Sequence, residues 1–296
     1  MRKTRSVPHT KPAGPARSYL YVPGDQRDLL DRVGTRGADA VILDLEDAVA
    51  VAAKSMARAT VADWLSTQRI ASDVWVRVNA GSVEEDLDAV LGPGMRGVVV
   101  PKAEPDLLHE VDSCLSRLER SRQVEQPLAL IGLVETACGL LAAREVAASP
   151  RVHRLGIGEA DLLAELRVVP SATWEELTSL RLQIVVASAA AGIGAPIAPT
   201  STDFRNLDAL RRSTEALLGL GFRARTAIHP AQLATINEVF TPTAEQTERA
   251  RRLVEAYEAA ERHGTGVVTD EHGRMVDVAV VRSLCEILER SARLAK

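Results

Sequence analysis

The stretch Ala40-Val41-Ile42-Leu43-Asp44-Leu45-Glu46-Asp47-Ala48-Val49 decides the fold, because an apolar run with β-branched residues carries three carboxylates at its end. Such a run is typical of a strand buried on both faces, and strands of this kind form parallel sheets. Functional residues of parallel sheets follow the carboxyl ends of the strands. The three acids therefore indicate metal or proton chemistry. The structural alternative is that one or two of them cap the next helix.

Short apolar segments recur from Arg17 onward, and each is followed by a polar or glycine-containing loop and a segment of helical period. The pattern predicts eight strands, at residues 18–22, 40–45, 74–78, 97–100, 128–134, 154–157, 195–198 and 225–228, of which the seventh has the weakest signal. Eight strands alternating with helices are the number that closes a parallel barrel, so we expect an α/β fold, a (β/α)8 TIM barrel over residues 17–241. An open doubly wound sheet is the alternative, but no glycine-rich fingerprint follows the first strand.

The two ends of the chain differ from this repeat. Residues 1–16 contain several basic residues and prolines without the apolar core of a secretory signal, which predicts a disordered tail. Residues 242–296 predict a helix, a hairpin around residues 271–273 and a last helix from about residue 278. This appendage is small for a core of its own, so we expect a lid that packs on the barrel or on a neighbouring subunit.

Composition narrows the class of function. The chain has 296 residues, 46% of them hydrophobic, and a formal net charge of -4. The negative net charge gives no indication of a basic surface that would bind nucleic acid. No apolar stretch approaches the ~20 residues that a membrane-spanning helix needs. The three cysteines are widely separated and match neither a disulfide framework nor a metal knuckle, which fits packing residues in a reducing cytoplasm. A protein that acts on small molecules is the default.

Two acids follow consecutive predicted strands, Glu135 after the fifth and Asp161 after the sixth. Neighbouring strands lie about 4.8 Å apart, so the two side chains can grip one ion. Carboxylates without histidine or thiolate suit Mg2+, which keeps coordination positions for water and substrate oxygens. The alternative is that Glu135 caps the helix that begins near Ala137 and that Asp161 caps the segment after it.

Basic residues surround the same predicted mouth. Side chains alternate along a strand, so Arg77 and Trp75 point to the same face of the third strand. If that face is the interior of the barrel, the charged guanidinium of Arg77 needs an anion as its partner. That anion is either a neighbouring carboxylate, giving a structural ion pair, or a substrate carboxylate or enolate oxygen. The remaining candidates, which would hold phosphates or another part of a ligand, are Arg27, Lys54, Lys102 and His229. For each of the three cations a solvated surface charge is the alternative, and His229 can simply satisfy local backbone.

A series of motifs in order resembles the citrate lyase β-subunit-like proteins of the HpcH/HpaI aldolase family, closest in layout to malyl-CoA and citramalyl-CoA lyases. The motifs are 21–25 (YVPGD), 37–49 (GADAVILDLEDAV), 76–79 (VRVN), 100–102 (VPK), 134–137 (VETA), 203–205 (DFR) and 227–230 (AIHP). The resemblance runs from Arg17 to the C-terminus. It implies a (β/α)8 barrel and Mg2+-dependent making or breaking of a carbon–carbon bond, with an acyl-CoA thioester and a small 2-oxo acid as partners.

The same resemblance implies roles for individual residues. Glu135 and Asp161 match the metal ligands, and Arg77 matches the arginine that binds the substrate carboxylate or thioester oxygen. Glu46 and Asp47 match the acids that hold metal-bound water and order the site.

In the malyl-CoA and citramalyl-CoA lyase branch, a C-terminal lid contributes an aspartate to the adjacent subunit. The segment 273–277 (GRMVD) is similar to that lid, which makes Asp277 the candidate proton shuttle and implies a homo-oligomer, a trimer or hexamer.

Three positions depart from the family pattern. Gln26 precedes Arg27 where relatives commonly have arginine directly after Gly-Asp, and residues 198–201 (APTS) replace an Asp-Gly-x-aromatic sequence on the seventh strand. Glu159 is an additional acid after the sixth strand. Three functions therefore stay open: a 3-hydroxyacyl-CoA lyase or condensing enzyme, a hydroxyacyl-CoA thioesterase, and a carrier-dependent citrate-lyase-like subunit without free-standing activity.

Overall fold

The computed structural model describes residues 16–68, 70–171 and 173–294, with side chains to residue 292. The predicted disordered tail lies outside these residues, apart from Ala16. The described chain divides into two compact units, residues 16–240 and 241–294. No helix among the described residues is both long and apolar enough to cross a membrane.

Eight parallel strands close the first unit into a barrel, in which each strand pairs with its neighbours in sequence and the first pairs with the last. The strands are β1 (Ser18–Pro23), β2 (Ala40–Asp44), β3 (Asp73–Arg77), β4 (Met95–Val100), β5 (Ala129–Val134), β6 (Val152–Ile157), β7 (Ile197–Ala198) and β8 (Ala224–Ala227). The predicted TIM barrel is confirmed, and the open sheet is excluded. Strand bounds differ from the predicted ones by at most two residues, since strand ends carry the weakest apolar signal.

Helices surround the barrel. They are α1 (Arg27–Arg32), α2 (Lys54–Thr67), α3 (Val83–Val90), α4 (Pro105–Arg122), α5 (Ala137–Leu141), α6 (Ala143–Ala148), α7 (Glu159–Leu166), α8 (Thr178–Ala191), α9 (Leu207–Leu220) and α10 (Leu233–Phe240). Because successive strand residues face opposite ways, the strands bury side chains on both faces. The inner face forms a small core inside the barrel, and the outer face forms the main core with the helices. Cys138 is exposed, so it is not the packing residue we expected.

The second unit consists of α11 (Ala244–Arg262), a two-stranded antiparallel hairpin of β9 (Val268–Thr269) and β10 (Met275–Val276), and α12 (Val278–Leu294). This is the predicted helix-hairpin-helix order. Asp270 organises the hairpin, because it accepts the backbone N–H groups of His272 and Arg274 and pairs with the guanidinium of Arg249. The hydrogen bonds from Arg274 and His272 lower the pKa of Asp270 to about 2.

Candidate active site

The centre of the candidate site is Arg77, the last residue of β3. Its Nε and Nη2 donate to both oxygens of Asp44, the last residue of β2, at 2.7 and 2.6 Å. The two residues are register partners, so adjacent strand ends bring them together. Arg77 Nη1 lies 2.8 Å from Glu46 Oε2 and 3.6 Å from Asp47 Oδ2. The structural ion pair that we left open for Arg77 is therefore present.

Two of the five N–H bonds of this guanidinium donate to Asp44, and its Nη1 lies in ionic contact with Glu46. The Cζ atom of Arg77 lies over the ring of Tyr21, 4.8 Å from the ring centroid. Burial works against the charge of Arg77, but the hydrogen bonds to Asp44 and the negative charges of Asp44 and Glu46 outweigh it and raise its pKa. Arg77 is therefore a permanent cation in a fixed orientation.

Asp44 is the residue whose role the sequence did not reveal. It is 1% exposed, and besides Arg77 it binds the backbone N–H groups of Glu46 and Ala48. It thus organises the turn after β2 and does not cap a helix. The one sequence signal for its partner was strand alternation, which turns Arg77 inward without saying which acid it meets.

Glu46 lies between two cations. Its Oε1 is 3.0 Å from Lys102 Nζ, and its Oε2 is the atom next to Arg77. Burial raises the pKa of Glu46 more than the charges of Arg77 and Lys102 lower it. The neighbouring Asp47 has a side chain that is 63% exposed and faces the same guanidinium from farther away. Glu46 and Asp47 therefore share one cluster with Arg77, as the sequence predicted for this mouth.

The predicted metal ligands lie on the next strands. Glu135 directly follows β5, is 3% exposed, and accepts the backbone N–H of Lys102 at 2.8 Å. Asp161 is exposed in the first turn of α7. Burial, together with the negative charges of Glu46 and Asp161, raises the pKa of Glu135 to about 7 against the opposing hydrogen bond from Lys102. Glu135 and Asp161 thus lie close enough to influence each other.

The helix-capping alternative does not hold for this pair. Thr136 caps α5, since its hydroxyl accepts the N–H of Gly139 at 2.9 Å. The N-cap position of α7 is Gly158, and Asp161 lies inside the helix. A Cβ on Gly158 would lie 2.6 Å from the Cβ of Glu135 and closer still to its Oε2. Glycine therefore leaves the space that the Glu135 carboxylate occupies.

These observations fit a hard divalent cation. A buried carboxylate whose negative neighbours raise its pKa is stabilised in its ionised form when a cation binds beside it. Among the described residues no three His, Cys, Asp or Glu side chains are grouped to hold a metal. Mg2+ commonly uses only one or two carboxylates and completes its coordination with water and substrate oxygens, so Glu135 and Asp161 offer the kind of donor set that Mg2+ takes.

A pocket of about 590 Å3 adjoins the cluster, and its lining includes Glu46, Asp47, Lys54, Asn79 and Lys102. Lys54 Nζ donates to the backbone oxygens of Leu45 and Glu46, both at 2.6 Å. Lys54 therefore supports the loop after β2.

Two other predicted ligand residues have different partners. Arg27 on α1 pairs with Asp31 at 2.9 Å and with Asp63 on α2 at 2.5 Å. The Nδ1 atom of His229 accepts the N–H of Ala231, which caps the turn after β8, and its ring stacks on Phe204 with the centroids 4.6 Å apart. The local-backbone role that we left open for His229 is present.

The remaining residues singled out from the sequence also have partners. Asp277 accepts the N–H groups of Ala279 and Val280, both at 3.0 Å, at the start of α12. Glu159 is buried, and its two carboxylate oxygens accept hydrogen bonds from Nε and Nη2 of Arg181 at 2.6 and 2.9 Å. The additional acid after β6 is therefore a structural ion pair.

A sequence model of the HpcH/HpaI aldolase/citrate lyase family matches residues 17–230. A (3S)-malyl-CoA thioesterase of Cereibacter sphaeroides (strain ATCC 17025 / ATH 2.4.3) is 35% identical over 96% of this chain and 95% of its own. A mitochondrial citramalyl-CoA lyase of Rattus norvegicus is 30% identical over 93% and 85%. The crystal structure of Mycobacterium tuberculosis CitE with magnesium, acetoacetate and coenzyme A matches with a TM-score of 0.77 and 28% identity, over 95% of this chain and 99% of that one.

Proposed function

The chain belongs to the HpcH/HpaI aldolase/citrate lyase family, and from this premise we propose that it is a Mg2+-dependent carbon–carbon lyase for a 3-hydroxyacyl-CoA of malyl-CoA or citramalyl-CoA type. The products would be acetyl-CoA or propionyl-CoA and a 2-oxo acid, and the reverse reaction would condense them. The observation that carries the proposal is the buried Glu135 carboxylate, influenced by Asp161 and Glu46 and joined through Lys102 to the Arg77 cluster.

The proposed reaction has three steps. The substrate hydroxyl loses its proton, the bond between the two carbons breaks to release the 2-oxo acid, and the electron pair stays on the thioester as an enolate that takes up a proton. A divalent ion held by Glu135 and Asp161 would supply Lewis-acid polarisation of the hydroxyl oxygen and orient the acid's carboxylate. Arg77, a cation whose orientation Asp44 fixes, supports stabilisation of a substrate oxygen that gains negative charge.

Acids near Arg77 supply the rest of the proposed chemistry. We assign Glu46 and Asp47 to the ordering of water at the site, because they contact Arg77 and line the adjoining pocket. The family resemblance supports Asp277 of a neighbouring subunit as the proton shuttle. This role requires a homo-oligomer, which we propose to be a trimer or hexamer in the cytoplasm.

A thioesterase is the second candidate, because the 35% identical relative from Cereibacter sphaeroides is named as one. Hydrolysis would use the same hydroxyacyl-CoA but break the carbon–sulfur bond, giving free CoA and the intact hydroxy acid. The altered segment 198–201 after β7 favours the third possibility, a subunit that turns over only an ester of an acyl carrier.

One product analysis separates the three functions. Purified full-length protein is incubated with Mg2+ and malyl-CoA, citramalyl-CoA or related esters, with a chelator control, and the CoA species and acids are separated. We expect acetyl-CoA or propionyl-CoA with an equal amount of 2-oxo acid, only with Mg2+. Free CoA with intact hydroxy acid would establish the thioesterase, and no turnover of any free CoA ester would reject both.

A further inference from the structure

Lys102 has a left-handed backbone, with φ at +49°, and stands two residues after the end of β4. Such a φ is uncommon and strained for a residue with a Cβ. Four other described non-glycine residues share this conformation. Gln123 and Arg167 are the C-caps of α4 and α7, where left-handed residues commonly end helices, and Arg151 and Trp174 lie in the connections before β6 and α8. Lys102 follows a strand, so helix termination gives no reason for its conformation.

The two ends of Lys102 contact two different acids. Its backbone N–H donates to Glu135 Oε1 at 2.8 Å, and its Nζ donates to Glu46 Oε1 at 3.0 Å. Glu135 follows β5 and Glu46 follows β2, so one residue ties together carboxylates from opposite sides of β3 and β4. Strained residues persist where the surroundings fix them from several directions, and they cluster at functional sites.

We propose that Lys102 is a positioning residue that fixes Glu135 through its main chain and Glu46 through its ammonium group, and that it does not bind the phosphates of the thioester. The inference deepens the function proposed above and rests on it. It also replaces the phosphate-binding role that the sequence suggested for Lys102, because the ammonium group already has a buried carboxylate as its partner.

The residue type supports this role. Glycine adopts a positive φ without strain, so backbone geometry alone favours glycine at position 102. Lysine adds a second cation to Glu46, whose other oxygen lies 2.8 Å from Arg77 Nη1. With both cations present, each oxygen of Glu46 lies beside its own cation, and rotation of the carboxylate breaks an ionic contact. Without the ammonium group, Glu46 is held from one side.

Substitutions at position 102 separate the two halves of the role. Lys102→Gly keeps the N–H and relieves the strain, Lys102→Ala keeps the strain, and Lys102→Arg restores a cation. Gln123→Gly is the matched control, since it relieves the same strain at a helix end. The measurements are melting temperature, Mn2+ affinity by electron paramagnetic resonance, and kcat and KM with the CoA ester and with the corresponding pantetheine thioester.

We expect Lys102→Gly to melt at a higher temperature than Lys102→Ala and to bind Mn2+ like the wild type. Its kcat should fall by about 10-fold or more with KM unchanged, and Lys102→Arg should recover most of the loss. Gln123→Gly should keep the wild-type kcat. Wild-type kcat in Lys102→Gly, or a raised KM for the CoA ester but not for the pantetheine thioester, would overturn the proposal.

A second measurement keeps the inference testable without turnover. If the wild type converts no thioester, the proposed function fails, and a double-mutant cycle of Lys102→Ala and Glu46→Gln in urea unfolding decides the positioning role. We expect the two effects to be non-additive. Strict additivity would show that the ammonium group does not hold Glu46.

Discussion

Replacing Glu135 by glutamine should stabilise the metal-free protein at alkaline pH. Burial and the charges of Glu46 and Asp161 raise the pKa of Glu135 from 4.5 to about 7. The folded protein therefore binds the carboxyl proton of Glu135 more tightly than the unfolded chain does. At a pH between 4.5 and about 7, unfolding releases this proton. Stability contributed by the protonated carboxyl is complete below about pH 4.5 and is lost as the pH rises through about 7.

The size of the effect follows from the same two values. A displacement from 4.5 to about 7 corresponds to about 3 kcal/mol over the whole window, most of which falls between pH 5 and pH 8. Glutamine has no carboxyl proton to lose, and its Oε1 can still accept the N–H of Lys102. Between pH 5 and pH 8 the variant minus wild-type difference in free energy of unfolding should therefore grow by about 2 to 3 kcal/mol in favour of Glu135→Gln.

The assay is urea unfolding at about pH 5 and about pH 8 with a chelator present, followed by circular dichroism. Glu110→Gln, at an exposed position on α4, reports the effect of losing one surface carboxylate. With Mg2+ added at about pH 8, the wild type should gain stability and Glu135→Gln should not. A variant minus wild-type difference that stays constant with pH would refute the reasoning, because Glu135 would then ionise alike in the folded and unfolded states.

Three further substitutions test other parts of the site. Gly158→Ala should displace the Glu135 carboxylate and weaken Mg2+ binding by about 10-fold in calorimetry, whereas Gly219→Ala, with open space around it, should not. Arg77→Lys loses the planar fork, so kcat should fall by about 100-fold with the fold intact by circular dichroism, and unchanged turnover would leave Arg77 a purely structural ion pair. Asp277→Ser keeps a helix-capping oxygen, so we expect wild-type melting with lost turnover, while normal turnover would remove Asp277 from the reaction.

The strands were predictable because each is a short apolar run of a kind that parallel barrels bury on both faces. The seventh strand has only two residues, Ile197 and Ala198, and so its sequence signal was weak. Convergence of Glu46, Arg77 and Glu135 on one mouth followed from the barrel alone, since the carboxyl ends of all eight strands meet there.

The partners within the mouth could not be predicted in the same way. The Asp44–Arg77 pair depends on strand register, which the apolar pattern does not specify to one residue. The left-handed Lys102 has no compositional signal, because such a backbone usually appears at glycine or asparagine. Two local signals bear on the other basic residues: Arg27 and Asp31 have helical ion-pair spacing, and His229 stands directly before a proline that starts a turn, which favours its local-backbone role.

Ionic contacts run from Asp44 through Arg77 and Glu46 to Lys102, whose backbone N–H continues the chain to Glu135, so one unbroken series of polar contacts crosses four strands. A change in any member alters the surroundings of the next, so single alanine substitutions will each report the disruption of a shared unit. Their costs should not sum to the cost of removing the whole chain. Sequence variation at these positions is therefore expected to be correlated, with tolerated changes arising in pairs.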